Sequence, residues 1–152
     1  TSEQNPETVK AIAAKDGITA IKIKSSRMIL AYGFLRKVFE VFEQYQTPID
    51  MITTSEIAVS VTIDTPKFLN QIVQDLQEYG KVEVDRNQTI ICIVGDMVGE
   101  QKGVSSDIFK ALEDLPIRMI SYGGSRNNIS LLVKDNLKEK TLKALNKQLF
   151  NL

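Results

Sequence analysis

One pattern of apolar residues runs twice through this 152-residue chain, and that duplication limits the folds open to it. Gly33-Phe34-Leu35 opens a helical stretch in which Leu35, Val38, Phe39, Phe42 and Tyr45 share one face at spacings of three and four. Pro48-Ile49-Asp50-Met51-Ile52-Thr53 then predicts a strand. Ile57, Val59, Val61 and Ile63 alternate with smaller or polar residues, the mark of a half-buried strand. Thr65-Pro66 predicts a cap and first-turn proline for a second helix, whose apolar stripe is Leu69, Ile72, Val73 and Leu76. Gly80 ends that helix, and Val82-Glu83-Val84 follows as a short strand.

The second half keeps this order. Residues 90–94 read as a strand, and Gly103-Val104-Ser105-Ser106 leads into a helix carrying Ile108, Phe109 and Leu112. Pro116-Ile117-Arg118-Met119-Ile120-Ser121 matches the earlier proline-led strand closely. Ile129, Leu131 and Val133 alternate again, and a last helix carries Leu137, Leu142, Leu145 and Leu149. Residues 18–24, with Ile21 and Ile23 on one side and Lys22 and Lys24 on the other, open the first unit. Each unit therefore reads strand, helix, strand, strand, helix, strand. That is an α+β, ferredoxin-like βαββαβ arrangement: an antiparallel four-stranded sheet with two helices on one face.

The strand count is uneven. The first unit closes with Val82-Glu83-Val84, whereas the second stops after its last helix. Val9-Lys10-Ala11-Ile12-Ala13-Ala14, ahead of the first unit, is the unassigned strand-like segment. We expect it to complete the second sheet, so that the first unit (16–87) is inserted into the second (8–15 with 88–152).

Composition narrows the function. Nineteen basic residues balance nineteen acidic ones, which argues against nucleic acid or an anionic membrane as a partner. The chain has no histidine, so imidazole bases, Ser-His triads and histidine metal sites are excluded. Cys92 is alone in an apolar run and builds neither a disulfide nor a zinc site; a buried thiol in a reducing, cytoplasmic setting is expected. Gly99-Glu100-Gln101-Lys102-Gly103 and Tyr122-Gly123-Gly124-Ser125 match neither the phosphate-binding loop nor the dinucleotide fingerprint. No apolar run approaches a membrane span, and the polar start Thr1-Ser2-Glu3-Gln4-Asn5-Pro6 reads as a cut from a longer chain.

One loop stands apart. Residues 25–33 join the first strand to the first helix and mix Met28, Ile29, Leu30 and Tyr32 with hydroxyls and Gly33. A helix N-terminus offers unpaired N–H groups and partial positive charge to a carboxylate. Asp50 lies on the next strand, and Thr53-Thr54-Ser55-Glu56 adds hydroxyls and a second carboxylate. Carboxylate-binding amides with a facing acid describe a zwitterion site. The plainer alternative is a solvated Asp50 and a polar turn.

At these residues the sequence resembles the regulatory ACT region of aspartokinases, above all the monofunctional lysine-sensitive kind. Residues 28–35, Ile49-Asp50-Met51-Ile52-Thr53-Thr54-Ser55-Glu56, Arg118-Met119-Ile120-Ser121-Tyr122-Gly123 and Gln148-Leu149-Phe150 carry the resemblance. It implies two ACT units, the first inserted into the second, and no catalysis by this chain itself. The parent enzyme would convert ATP and L-aspartate to 4-phospho-L-aspartate in an N-terminal kinase domain that holds ATP and Mg. No cofactor is implied for the present chain. Feedback inhibition by L-lysine is implied too, with homodimerisation through the first units and the effector at their shared edge. Carried over by position, the effector contacts are Met28, Ala31, Gly33, Phe34, Leu35, Ile49, Asp50, Thr54, Ser55 and Glu56. Ala31-Tyr32-Gly33 departs from the Ser-Arg-Gly frequent in lysine-sensitive relatives, which bears on the effector's identity. The alternatives are a ligand-free dimerisation module, or a threonine-responsive region of a bifunctional aspartokinase–homoserine dehydrogenase.

Overall fold

Two strands, each of 14 residues, organise the computed structural model, which describes residues 9–25, 32–96, 102–123 and 125–151. The elements are β1 (Ala11–Lys24), α1 (Phe34–Gln44), β2 (Ile52–Thr54), β3 (Ala58–Ile63), α2 (Leu69–Leu76), β4 (Lys81–Val94), α3 (Val104–Ala111), β5 (Met119–Ser121), β6 (Asn128–Lys134) and α4 (Lys138–Phe150). The short strands expected at 9–14 and 18–24 are one continuous β1, and those at 82–84 and 90–94 are one continuous β4. Each turns through a positive φ partway along, at Gly17 (73°) and at Asn87 (60°), without ending. A shift of 70 positions carries Gly17 onto Asn87 and Gly33 onto Gly103 (φ 85° and 86°). Burial along β1 and β4 is the same at every position. The duplication is therefore physical as well as sequential.

The chain divides into two compact units, Gly17–Gln88 and Thr1–Asp16 with Thr89–Leu152. The strand order is β2-β3-β1-β4-β6-β5, and β1 and β4 each contribute one half to either unit. Four antiparallel strands and two helices result per unit. In the first unit, Ile21, Ile23, Val59, Val61 and Ile63 from the sheet share a core with Phe34, Val38, Val41 and Phe42 of α1 and Leu69, Ile72 and Leu76 of α2. In the second, Val9, Ile91, Ile93, Ile129, Leu131 and Val133 pack with Val104, Ile108 and Leu145. Val9 and Ile12 thus belong to the second core, although the first unit follows them in sequence.

Several local expectations are corrected. The strand expected over 48–53 is only Ile52–Thr54, because Asp50 and Met51 bulge opposite Thr62: Asp50 N–H donates to the Thr62 carbonyl at 2.8 Å, Thr62 N–H donates to the Met51 carbonyl at 3.0 Å, and the Met51 N–H turns to the Thr62 hydroxyl at 2.8 Å. Thr65 and Pro66 form a turn ahead of α2: Lys67 N–H donates to Thr65 Oγ1 at 3.4 Å and Leu69 N–H to the Pro66 carbonyl at 3.1 Å. The matching strand at 116–121 shortens to Met119–Ser121. Cys92 is half-buried, with the Ser130 hydroxyl 3.8 Å from its sulfur.

α2 ends at Leu76, ahead of Gly80, which lies at the entry to β4. A Cβ there would press on the Lys24 carbonyl oxygen, a backbone atom fixed in β1. Gly80→Ala should cost about 2 kcal/mol through forced backbone shift, read as a lower urea midpoint with unchanged slope.

Just ahead of Gly17, Asp16 accepts hydrogen bonds from Lys138 Nζ at 2.9 Å and Thr89 Oγ1 at 3.1 Å. These bonds, Lys138's foremost, hold its carboxyl below the ordinary value of 3.8. The folded-state value is the lower one, so the contribution is present above the ordinary value and is lost as pH falls through the folded value. Asp16→Asn should therefore lower the urea midpoint near neutrality, with the gap from wild type closing as pH falls below 3.8 and through the lower folded value.

Candidate functional site

The site is assembled around the edge of the first unit. Gly33 is the N-cap of α1 at φ 85°, a conformation glycine reaches without strain, and no side chain caps the helix. Its carbonyl accepts the Lys37 N–H at 3.0 Å, and no acidic residue occupies the first turn. The leading N–H groups and the positive end of the helix dipole are left without an acidic neighbour in that turn. Phe34 is buried in the core, so its backbone N–H is what it can offer a ligand. Leu35 is about one-third exposed at 37%. Met28 and Ala31 lie outside the described residues.

β2 carries the remaining candidates, at its two ends. Thr54, Ser55 and Glu56 are exposed at the turn into β3, where Ser55 N–H donates to the Ala58 carbonyl at 2.8 Å. Ser25 N–H donates to the Ile57 carbonyl at 2.8 Å, which fixes the exit of β1 beside that turn. The structure therefore brings the Thr54-Ser55-Glu56 turn to the root of the strand-to-helix loop. Asp50 is exposed at the other end, where its N–H donates to the Thr62 carbonyl at 2.8 Å. Ile49, half-buried, packs on the core. Five residues of extended chain separate Asp50 from Ser55, about 16 Å. Within one chain, Asp50 does not face the hydroxyl turn.

Sequence reasoning missed a hollow of about 230 Å³ on the sheet face opposite the helices, lined by Lys22, Lys24, Thr53, Thr54, Ser55, Ile57, Ala58 and Ser60. The available signal was the small Ala58 and Ser60 facing lysines across the ladder. Among the described residues, no group of three or more His, Cys, Asp or Glu side chains is placed to hold a metal ion. No helix among them is long and apolar enough to cross a membrane.

Residues 91–149 match the model of the ACT domain. With the inserted pair of βαββαβ units, that match defines the class as ACT-domain. A structure assigned as the C-terminal regulatory domain of aspartate kinase from Porphyromonas gingivalis W83 is 53% identical, with a TM-score of 0.85 over 95% of this chain and 99% of that one. Escherichia coli aspartokinase III in complex with lysine and aspartate (T-state) is 30% identical, with a TM-score of 0.85 over 97% of this chain and 34% of that one. The curated chloroplastic aspartokinase 3 of Arabidopsis thaliana is 33% identical across 97% of this chain and 28% of its own length. The chain belongs to the aspartokinase family, as its regulatory ACT region. It spans about a third or less of the curated relatives it matches, between 28% and 34% of the first two.

Proposed function

We propose that this chain is the lysine-responsive regulatory region of an aspartate kinase and acts as a homodimer through its first unit. The observation that carries the reading is the split of the polar candidates between the two ends of β2, an edge strand of the sheet. Two β2 edges paired antiparallel about a twofold axis align one copy's Asp50 with the partner's Thr54-Ser55-Glu56 turn, which a single chain does not achieve. Of the eight exposed large apolar side chains among the described residues, four (Tyr32, Leu35, Ile52 and Ile57) belong to the start of α1, to β2 or to its turn. Such clustering suits a buried partner surface. The relative solved with lysine and aspartate supports the choice of effector.

In this reading the α1 N-terminus receives the α-carboxylate of lysine and Asp50 pairs with an ammonium group. Glu56 and the hydroxyls of Thr54 and Ser55 complete the polar contacts. The parent's N-terminal domain, with ATP and Mg, phosphorylates L-aspartate in the cytoplasm, and lysine bound here lowers that activity. The domain boundaries at 16–87 and 8–15 with 88–152 follow the same reading.

Thermal unfolding with excess free amino acids tests it. At a hundredfold excess over Kd, lysine bound at one site per chain should stabilise each chain of the dimer by about 2.7 kcal/mol and raise Tm by roughly 5–10 °C. Sedimentation should show a dimer with and without ligand. A monomer whose melting is indifferent to every amino acid would end the proposal. The isolated chain should also release no ADP with ATP and aspartate; turnover that survives a contaminant control would overturn its purely regulatory role.

A further inference from the structure

We propose that the face of the first unit's sheet turned away from α1 and α2 carries a separate site for a small, doubly charged oxyanion. Two cross-strand rows build it. Strand register sets Lys22 beside Ser60 and Ser60 beside Thr53. It also sets Lys24 beside Ala58, to which Ser55 is joined by its 2.8 Å hydrogen bond. The middle residue of each row is small, so the lysines form one wall and the hydroxyls the other, around about 230 Å³.

Neither lysine pairs with a carboxylate among the described residues. Two ammonium groups two residues apart on one face, with backbones about 6.6 Å apart, repel one another and favour an anion between them. The duplicated fold supplies an internal comparison. A shift of 70 positions puts Cys92, Val94, Asn128 and Ser130 where the first unit has Lys22, Lys24, Ala58 and Ser60. The 3.8 Å approach of Ser130 to Cys92 shows that the neighbour relation is kept. The scaffold thus forms without cations at these positions, and the charge is particular to the first unit. A phosphate group or a dicarboxylate fits: either accepts from both ammonium groups while the hydroxyls donate to its remaining oxygens. The hollow adjoins the proposed effector site at Thr54 and Ser55 and is separate from it in its lysine wall and its Ala58 and Ser60 floor; the proposal does not rest on that reading.

Amide chemical shifts during titration of the intact chain with inorganic phosphate, and separately with succinate, test the site. Saturable shifts at residues 22–24, 53–55 and 58–60 are expected, and the tighter of the two ligands identifies the source of the charge. The Lys22→Gln, Lys24→Gln double variant should weaken that ligand about tenfold or more while leaving lysine binding unchanged. Ala58→Leu, which keeps both charges and fills the floor, should do the same. Wild-type affinity in both variants, or equal shifts with chloride at matched ionic strength, overturns the site. Loss of lysine binding in the double variant would merge the hollow with the effector site and overturn its separateness.

Discussion

Deleting residues 1–15 is expected to unfold the second unit while the first, which the deleted segment adjoins, keeps most of its protection. The deletion removes Val9, 8% exposed in the second core, and Ile12 packed against that core. It also removes the Lys10 N–H to Val94 carbonyl bond of 2.7 Å and the Lys10–Asp96 ion pair of 3.3 Å. Burial of one valine contributes about 1.5–3 kcal/mol, and a three-stranded remnant exposes the edge of β4. Both losses fall on one small unit. Amide hydrogen exchange should show protection lost at residues 129–133 and retained at 18–23. The reverse pattern would mean that the segment stabilises the unit it adjoins.

Asp50→Ala should weaken lysine binding by about one to two orders of magnitude, the loss of one charge-assisted hydrogen bond of roughly 1.5–3 kcal/mol. Asp50 is exposed and outside the core, so the variant should melt within a degree or two of the ligand-free wild type. Equal lysine affinity in the two proteins would remove Asp50 from the site. Because the pairing proposed for Asp50 crosses the dimer edge, a heterodimer of Asp50→Ala with a Glu56→Ala copy should regain one intact site of two.

The duplication was legible because both units write their cores in plain periodicity. Val38 and the alternating Val59, Val61 and Ile63 mark the first core, and Ile108, Ile129 and Leu131 mark the second. The insertion was legible from a missing strand alone. What stayed hidden has local causes. Gly17 and Asn87 look like turns, and Ala13-Ala14-Lys15-Asp16 and Glu83-Val84-Asp85-Arg86 are exposed, so no alternation of buried and exposed residues runs across the joins within β1 and β4. The length of β2 is set by a bulge of Asp50 and Met51 opposite Thr62, whose hydroxyl takes the Met51 N–H, and no residue pattern announces it. Asp50 and Ser55 are close in sequence yet stand at opposite ends of a strand, and only the edge position of β2 shows how they could meet. The lysine-walled hollow has the sequence of a solvent-facing strand, since Lys22 and Lys24 gain meaning only from the small residues beside them.

Calorimetric titration of the intact chain with L-lysine, L-threonine and L-methionine is the most direct test of the role proposed for it, a lysine-responsive regulatory dimer. Lysine should give saturable heat at one molecule per chain, two equivalent sites in each dimer, and the other two amino acids should give none. Saturable binding of threonine with no response to lysine, or no binding of any of the three, would contradict the account.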